Sequence, residues 1–209
     1  HPFYYLAALS TLTKPMNDAV RSQFPSLKRI VNGRPVVHLD GPAGTQVPQS
    51  VIDAMMHVYT NSNANTHGQF VTSQETDQLI EHTRNQVAAL LGAEGGHTIS
   101  FGANMTSLNF VLANAITKSL QPGDEILITQ LDHEANRGPW LNQRRHGIVV
   151  REVLLEEDGS LDYADLEKKI SEKTRVIAIG LASNIFGTVN EIDRVRQLAY
   201  EVGALLNRQ

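Results

Sequence analysis

From Thr98 onward, short apolar runs alternate with amphipathic stretches, and this alternation constrains the fold more than any other feature of the chain. The pattern predicts strand over Thr98–Phe101, helix over Met105–Leu120, strand over Glu125–Thr129, helix over Gly138–His146 and strand over Ile148–Val153. Helix over Tyr163–Ile170, strand over Arg175–Leu181, helix over Glu191–Val202 and the opening of a strand at Ala204–Leu206 complete it. Strands that alternate with helices build βαβ units around a mainly parallel sheet with helices on both faces. Val176-Ile177-Ala178-Ile179 is apolar without interruption, as a strand covered on both faces requires. The expected class is α/β.

The first half is less regular. After a polar approach from Arg21 to Arg34, Val36–Asp40 reads as a short strand closed by Gly41-Pro42-Ala43-Gly44. Pro48 suits the first helical position of a helix over Gln49–Tyr59, because its missing N–H costs nothing there. Asn61–Gly68 is a polar loop. A long amphipathic helix over Ser73–Leu91 follows, with Gly92 as its stop. Met16 precedes Asn17-Asp18-Ala19-Val20-Arg21 as a plausible native start. Residues 1–15 are therefore expected to be a leader outside the folded domain, which runs over 16–209.

Composition narrows the function classes. The chain is 41% hydrophobic and 19% charged, enough to bury a core, and its net charge of −4 supplies no attraction to nucleic acid or an anionic membrane. No apolar run approaches the roughly 18 residues that span a bilayer. There is no cysteine, so no disulfide framework, thiolate metal site or cysteine nucleophile lies within these residues, and the cytosol is the expected compartment.

Three polar segments follow predicted strands, and in open parallel sheets ligands sit at the strands' carboxyl ends. In Phe101-Gly102-Ala103-Asn104-Met105-Thr106-Ser107, Gly102 permits a tight turn and Asn104 is a good helix cap. The amides of Met105, Thr106 and Ser107 would then face an anion, helped by roughly half a unit of positive charge from the helix dipole. Simple capping of an ordinary helix is the competing reading. Neither the nucleotide P-loop nor the dinucleotide glycine fingerprint is present.

The second segment is Asp132-His133-Glu134-Ala135-Asn136. A zinc helix would need histidine at 137, where the chain has Arg137, and the other histidines show no ligand-like spacing, so no metal site is expected. His133 suits stacking on a flat heterocycle, against the alternative of a surface histidine at a helix start. The third segment, Ala182 to Asn190, offers the donor and acceptor of Asn184 at a strand exit, or nothing more than a turn. Together the three describe a pocket for a flat phosphorylated heterocycle.

These residues resemble the class V aminotransferases, within them the cysteine desulfurase-like branch. The likeness is carried by His38-Leu39-Asp40-Gly41-Pro42-Ala43-Gly44-Thr45-Gln46-Val47-Pro48, by Asn63-Ala64-Asn65-Thr66-His67-Gly68 and by Phe101 through Leu108. It continues through Leu131 to Asn136 with Pro139-Trp140, and Ser183-Asn184 with Gly187-Thr188-Val189-Asn190, spanning about residue 16 to 206. The resemblance implies the large-domain fold of aspartate aminotransferase-like enzymes and pyridoxal 5′-phosphate as cofactor. It implies that Met105 and Thr106 bind the cofactor phosphate, that His133 stacks on the pyridine ring and serves in acid/base steps, and that Asn184 lies near the ring hydroxyl. It places Asn65 and His67 on the substrate side, in a homodimer acting on a small amino acid by C–S lyase or transferase chemistry.

The chain also departs from the family pattern. The aspartate that pairs with the pyridine nitrogen is expected at about Gln209, and a Schiff-base lysine beyond it. The lysines present are Lys14, Lys28, Lys118, Lys168, Lys169 and Lys173, none following a histidine as the family pattern requires. The expectation is the N-terminal portion of such an enzyme, without the small C-terminal domain, binding cofactor weakly and inactive alone. The alternative is a non-catalytic truncated product or pseudoenzyme that works through protein association. A nucleotide-binding domain is demoted by the missing glycine fingerprints.

Overall fold

In the computed structural model, which describes residues 18–39, 41 and 44–208, the chain divides into two units, residues 1–100 and 101–209. The leader expected at 1–15 lies outside the described residues.

The first unit opens with one helical turn at Asp18–Arg21 and a hairpin of β1 (Ile30–Val31) and β2 (Arg34–Pro35). Asn32 and Gly33, at φ 51 and 74, make the turn, both in the left-handed region that two-residue hairpins require. The strand expected at Val36–Asp40 is not formed over its described residues. The Val36 amide donates to the Arg29 carbonyl at 3.0 Å, but Val37 and Leu39 are exposed at 73% and 90% and lie in no ladder, and a segment without a ladder is not a strand. Pro48 is the cap of α1 (Gln49–His57) rather than its first residue, and the chain continues in a π-helical turn over Val58–Ser62. Helix α2 (Val71–Leu91) ends as expected at Gly92, whose φ of 65 closes the last turn. The strand expected at Thr98–Phe101 is also absent. Gly96–Thr98 is a 3-10 turn, and Ile99 is extended but its amide closes that turn on the Gly96 carbonyl and it joins no strand ladder among the described residues.

The second unit holds the predicted parallel sheet. Its strands are β3 (Glu125–Thr129), β4 (Val149–Val153), β5 (Thr174–Ile179) and β6 (Leu205–Arg208), in spatial order β4-β3-β5-β6. All pairings are parallel, with Ile126 opposite Val150 and Val176, and Val176 opposite Leu205. Side chains alternate across the sheet as the pleat demands. Ile126, Ile128, Val150, Val176 and Ala178 pack with Ala113 and Trp140, under α3 (Met105–Thr117) and α4 (Glu134–Leu141). Leu127, Val153, Ile177 and Ile179 pack with Leu166, Val195 and Ala199, under α5 (Tyr163–Lys169) and α6 (Ile192–Glu201). Helices thus cover both faces.

One boundary shift matters for the site. The helix expected from Gly138 begins at Glu134, directly after His133, and gives way to a 3-10 turn at Asn142. Gly138-Pro139 reads as a helix start in sequence, yet here it lies inside the helix. Among the described residues no helix is long and apolar enough to cross a membrane.

Candidate active site at the carboxyl edge of the sheet

The strand order decides where a ligand can sit. The chain leaves β3 for β4 on one side, then crosses to β5 on the other. The loops after β3 and β5 therefore diverge, and the crevice between them is the usual ligand position of such sheets. His133 follows β3 and Asn184 follows β5.

The loop after β3 is held by Asp132. One carboxylate oxygen accepts from Thr129 Oγ1 at 2.6 Å and the other from the Gly180 amide at 2.6 Å. Burial raises the Asp132 pKa above the ordinary aspartate range, with the bonds from Thr129 and Gly180, the Asn136 amide and the Arg137 charge acting against it. The Asn136 amide nitrogen favours the ionised carboxylate electrostatically but meets no acceptor at normal hydrogen-bond geometry. Arg137 also pairs with Glu152 on β4, and with Glu134 at 3.5 Å.

His133 caps α4. Its Nδ1 accepts from the Ala135 amide at 3.1 Å, which places the proton of the neutral ring on Nε2. The ring itself is exposed. Helix capping and an exposed flat face are thus both realised by one side chain.

Helix α3 supplies the cradle. Asn104 Oδ1 accepts from the Ser107 amide at 2.8 Å, leaving the Met105 and Thr106 amides without intrahelical acceptors. The Thr106 hydroxyl has no partner among the described residues. A Cβ at Gly102 would lie 2.5 Å from the Leu108 side chain, which would have to move aside. One turn into the helix, buried Asn109 donates to the Ala135 carbonyl at 3.0 Å and to Asn136 Oδ1 at 3.3 Å. This registers the cradle against the helix that His133 caps.

After β5, Ser183 organises the third loop. Its amide donates to the Thr188 carbonyl at 2.9 Å, and its Oγ accepts from the Ile185 and Phe186 amides. Gly187, at φ 74, closes the turn. Asn184 is exposed, and its amide has no partner among the described residues. His133 and Asn184 therefore follow neighbouring strands of one sheet, and Met105 and Thr106 belong to the same unit.

Asn65 and His67 belong to the other unit. The Asn65 carbonyl accepts from buried Ser73 at 2.6 Å. His67 takes a φ of 66, its amide donating to Asp77 at 2.9 Å, and with Arg84 and His97 it lines a groove of about 670 Å³. Among the described residues no three His, Asp or Glu side chains converge as a metal site. Asp132 lies in the second segment but has no role of its own in the sequence, and Asn109 and Gly180 carry no sequence expectation. The signal available for Asn109 was a polar residue set among Leu108, Phe110, Val111 and Leu112.

The sequence profile of the family Aminotransferase class-V matches residues 37–207. The chain belongs to the class V aminotransferases. A probable cysteine desulfurase of Vibrio cholerae is 37% identical over 193 residues, covering 90% of this chain and 48% of that protein. A cysteine desulfurase of Pectobacterium atrosepticum is 36% identical over 192 residues, covering 90% and 47%. Among solved structures, the cysteine desulfurase CsdA of Escherichia coli superposes with a TM-score of 0.78 at 30% identity, covering 92% of this chain and 48% of that one. The apo cysteine desulfurase of Thermococcus onnurineus superposes at 0.82 and 26%, covering 94% and 48%. This class V chain spans about half the length of the curated relatives it matches. Its α/β fold is part of the fold of those enzymes.

Proposed function

We propose that this edge of the sheet holds pyridoxal 5′-phosphate in a cysteine desulfurase-like enzyme acting on a small amino acid, cysteine first among them. The observation that carries the reading is the pair of open amides at Met105 and Thr106, tied through Asn109 to the helix that His133 caps. The residues fit the group by their chemistry. Two amides, the Thr106 hydroxyl and a helix dipole suit a phosphate dianion. The exposed His133 ring suits a flat heterocycle, and the unengaged Asn184 amide suits a phenolic oxygen.

When bound, the cofactor supplies an electron sink for the bond broken at the substrate's α-carbon. The chain's own residues bind and orient. Met105 and Thr106 anchor the phosphate end, His133 covers one ring face, and its Nε2 can carry a proton to or from the substrate. Asn65 and His67 are assigned to the substrate side. A second copy of the chain is the proposed partner, supported by the stripe of Met105, Leu108, Val111 and Leu112 left exposed along α3. The cytosol is the assigned compartment, since a fold without cysteines needs no oxidising environment.

Titration of the 209-residue chain with pyridoxal 5′-phosphate, followed by ring absorbance, tests the reading. Binding that weakens about ten-fold or more for Thr106→Ala together with His133→Ala, and that vanishes for pyridoxal lacking the phosphate, is expected. Equal affinity for both ligands, or no effect of either substitution, would sink it.

A further inference from the structure

We infer that Asp132 is a positioning residue: its carboxylate ties the end of β3 to the first peptide beyond β5, where the strand order reverses, and so sets the His133 ring against the loop bearing Asn184. The inference rests on the proposal that His133 and Asn184 are two walls of one pocket.

The two arms of the carboxylate reach different strands. Thr129, the last residue of β3, is fully buried, and its hydroxyl donates to one oxygen at 2.6 Å. The amide of Gly180, the residue after β5, donates to the other at 2.6 Å. Between β3 and β5 the paired register ends at Leu127 and Ile177. Beyond that register the carboxylate takes over the role of the ladder, bridging backbones that are already diverging.

Gly180 is built for this contact. Its φ lies outside the left-handed region, so backbone conformation does not call for glycine. Space does, because a Cβ would lie 2.6 Å from the Asp132 oxygen. The next peptide is gripped as well. The Gly180 carbonyl accepts from Asn190 Nδ2 at 2.7 Å, and the buried Asn190 donates its own amide to the Leu181 carbonyl at 2.9 Å. Ala182 and Val189 then bridge to close the loop in which Asn184 sits.

Asp132 therefore acts at both ends of the crevice. Its backbone leads directly into His133, and its side chain fixes the root of the Asn184 loop. With both oxygens pinned, residue 132 cannot rotate without breaking two short bonds.

The test uses the full 209-residue chain with Asp132→Asn, Asp132→Ala and Thr129→Val, read by ¹⁵N NMR without ligand and then by pyridoxal 5′-phosphate titration. In Asp132→Ala and Thr129→Val the His133 ring and Asn184 side-chain resonances should move, while amides at the far edge, around Glu125 and Thr174, stay in place. Asp132→Asn, which can still accept from Gly180 and donate to Thr129, should restore most of the wild-type pattern. In the titration, the loss on His133→Ala should shrink about three-fold or more once Asp132 is Ala, the mark of coupled rather than independent sites. Unmoved His133 and Asn184 resonances in a folded Asp132→Ala, with additive affinity losses, overturn the inference. If that variant does not fold, Thr129→Val decides in the same way, since it removes one arm only. If the unaltered chain binds no cofactor, the proposed function fails and the resonance pattern alone decides the positioning role.

Discussion

Asn109 Nδ2 donates to the Ala135 carbonyl across 3.0 Å, and that carbonyl is the one Pro139 leaves without an intrahelical donor. Proline lacks an N–H, so the acceptor at i−4 is orphaned inside α4. A side chain from α3 fills the gap. The proline that looks like a helix start is therefore part of the joint between the phosphate cradle and His133.

This joint predicts a coupling. Asn109→Leu orphans the Ala135 carbonyl and should cost about 1–3 kcal/mol in the urea midpoint. In a Pro139→Ala background, residue 139 can donate to Ala135 itself, and the same substitution should cost markedly less. Equal costs in the two backgrounds would show that Asn109 acts elsewhere.

Two acids of the sheet unit titrate in opposite senses. Burial alone would raise the pKa of Glu125, but bonds from Arg151 at 2.7 Å and Ser171 at 2.7 Å, with the charges of Arg151 and Lys173, hold it below the ordinary glutamate range. A depressed acid stabilises the fold above its unfolded pKa, and that stability is lost as pH falls through the folded value. Glu125→Gln should lose about 1–2 kcal/mol at neutral pH, toward the low end because Arg151 is nearly half exposed, and should flatten the acid limb of stability against pH. An unchanged limb would assign acid sensitivity to other groups.

For Asp132 the sign reverses. Its pKa is raised by burial, so the ionised form weighs against the fold above that pKa, and the penalty lifts as pH falls through it. Asp132→Asn keeps both bonds without the buried charge and should leave the urea midpoint at neutral pH unchanged or higher. An acid kept where a neutral amide could make the same two bonds is what a functional position looks like. A clear loss of stability in the amide variant would contradict this assignment.

Gly180→Ala tests the same contact from the other side. The new methyl must displace one oxygen of a carboxylate whose other oxygen is held by Thr129, and overpacking of this kind costs about 1–3 kcal/mol. Thermal unfolding gives the number. Gly187→Ala, at φ 74 in open space, should be strained through its backbone alone and leave the Asp132 resonances untouched.

The lysines yield a chemical prediction. Lys173 leads into β5, its carbonyl accepting from the Glu125 amide at the amino edge of the sheet, and Lys118 follows the end of α3. Lys169 is bound by Asp165 and the Glu152 carbonyl, each at 2.6 Å. Borohydride treatment of this 209-residue chain with pyridoxal 5′-phosphate should leave no stoichiometric label on any one lysine, as read by peptide mass. A single fully labelled lysine would reassign the site.

What the sequence alone determined is what period and local chemistry can encode. The apolar runs at Ile126–Ile128 and Val176–Ile179 specify buried strands, because only a two-faced core tolerates such runs. Gly92 marks a helix stop, and Asn104 caps α3, through bonds made within a few residues. Expectation failed where a partner distant in sequence decides. Val36–Leu39 and Ile99–Phe101 are apolar enough for strands, but a strand exists only beside a neighbour. The start of α4 was hidden because the carbonyl left open by Pro139 is satisfied from α3. The order β4-β3-β5-β6, and with it the crevice between His133 and Asn184, is a property of the assembled sheet. So is the bond from Asp132 to Gly180, which joins two loops through 2.6 Å of space and leaves no periodic trace in the chain.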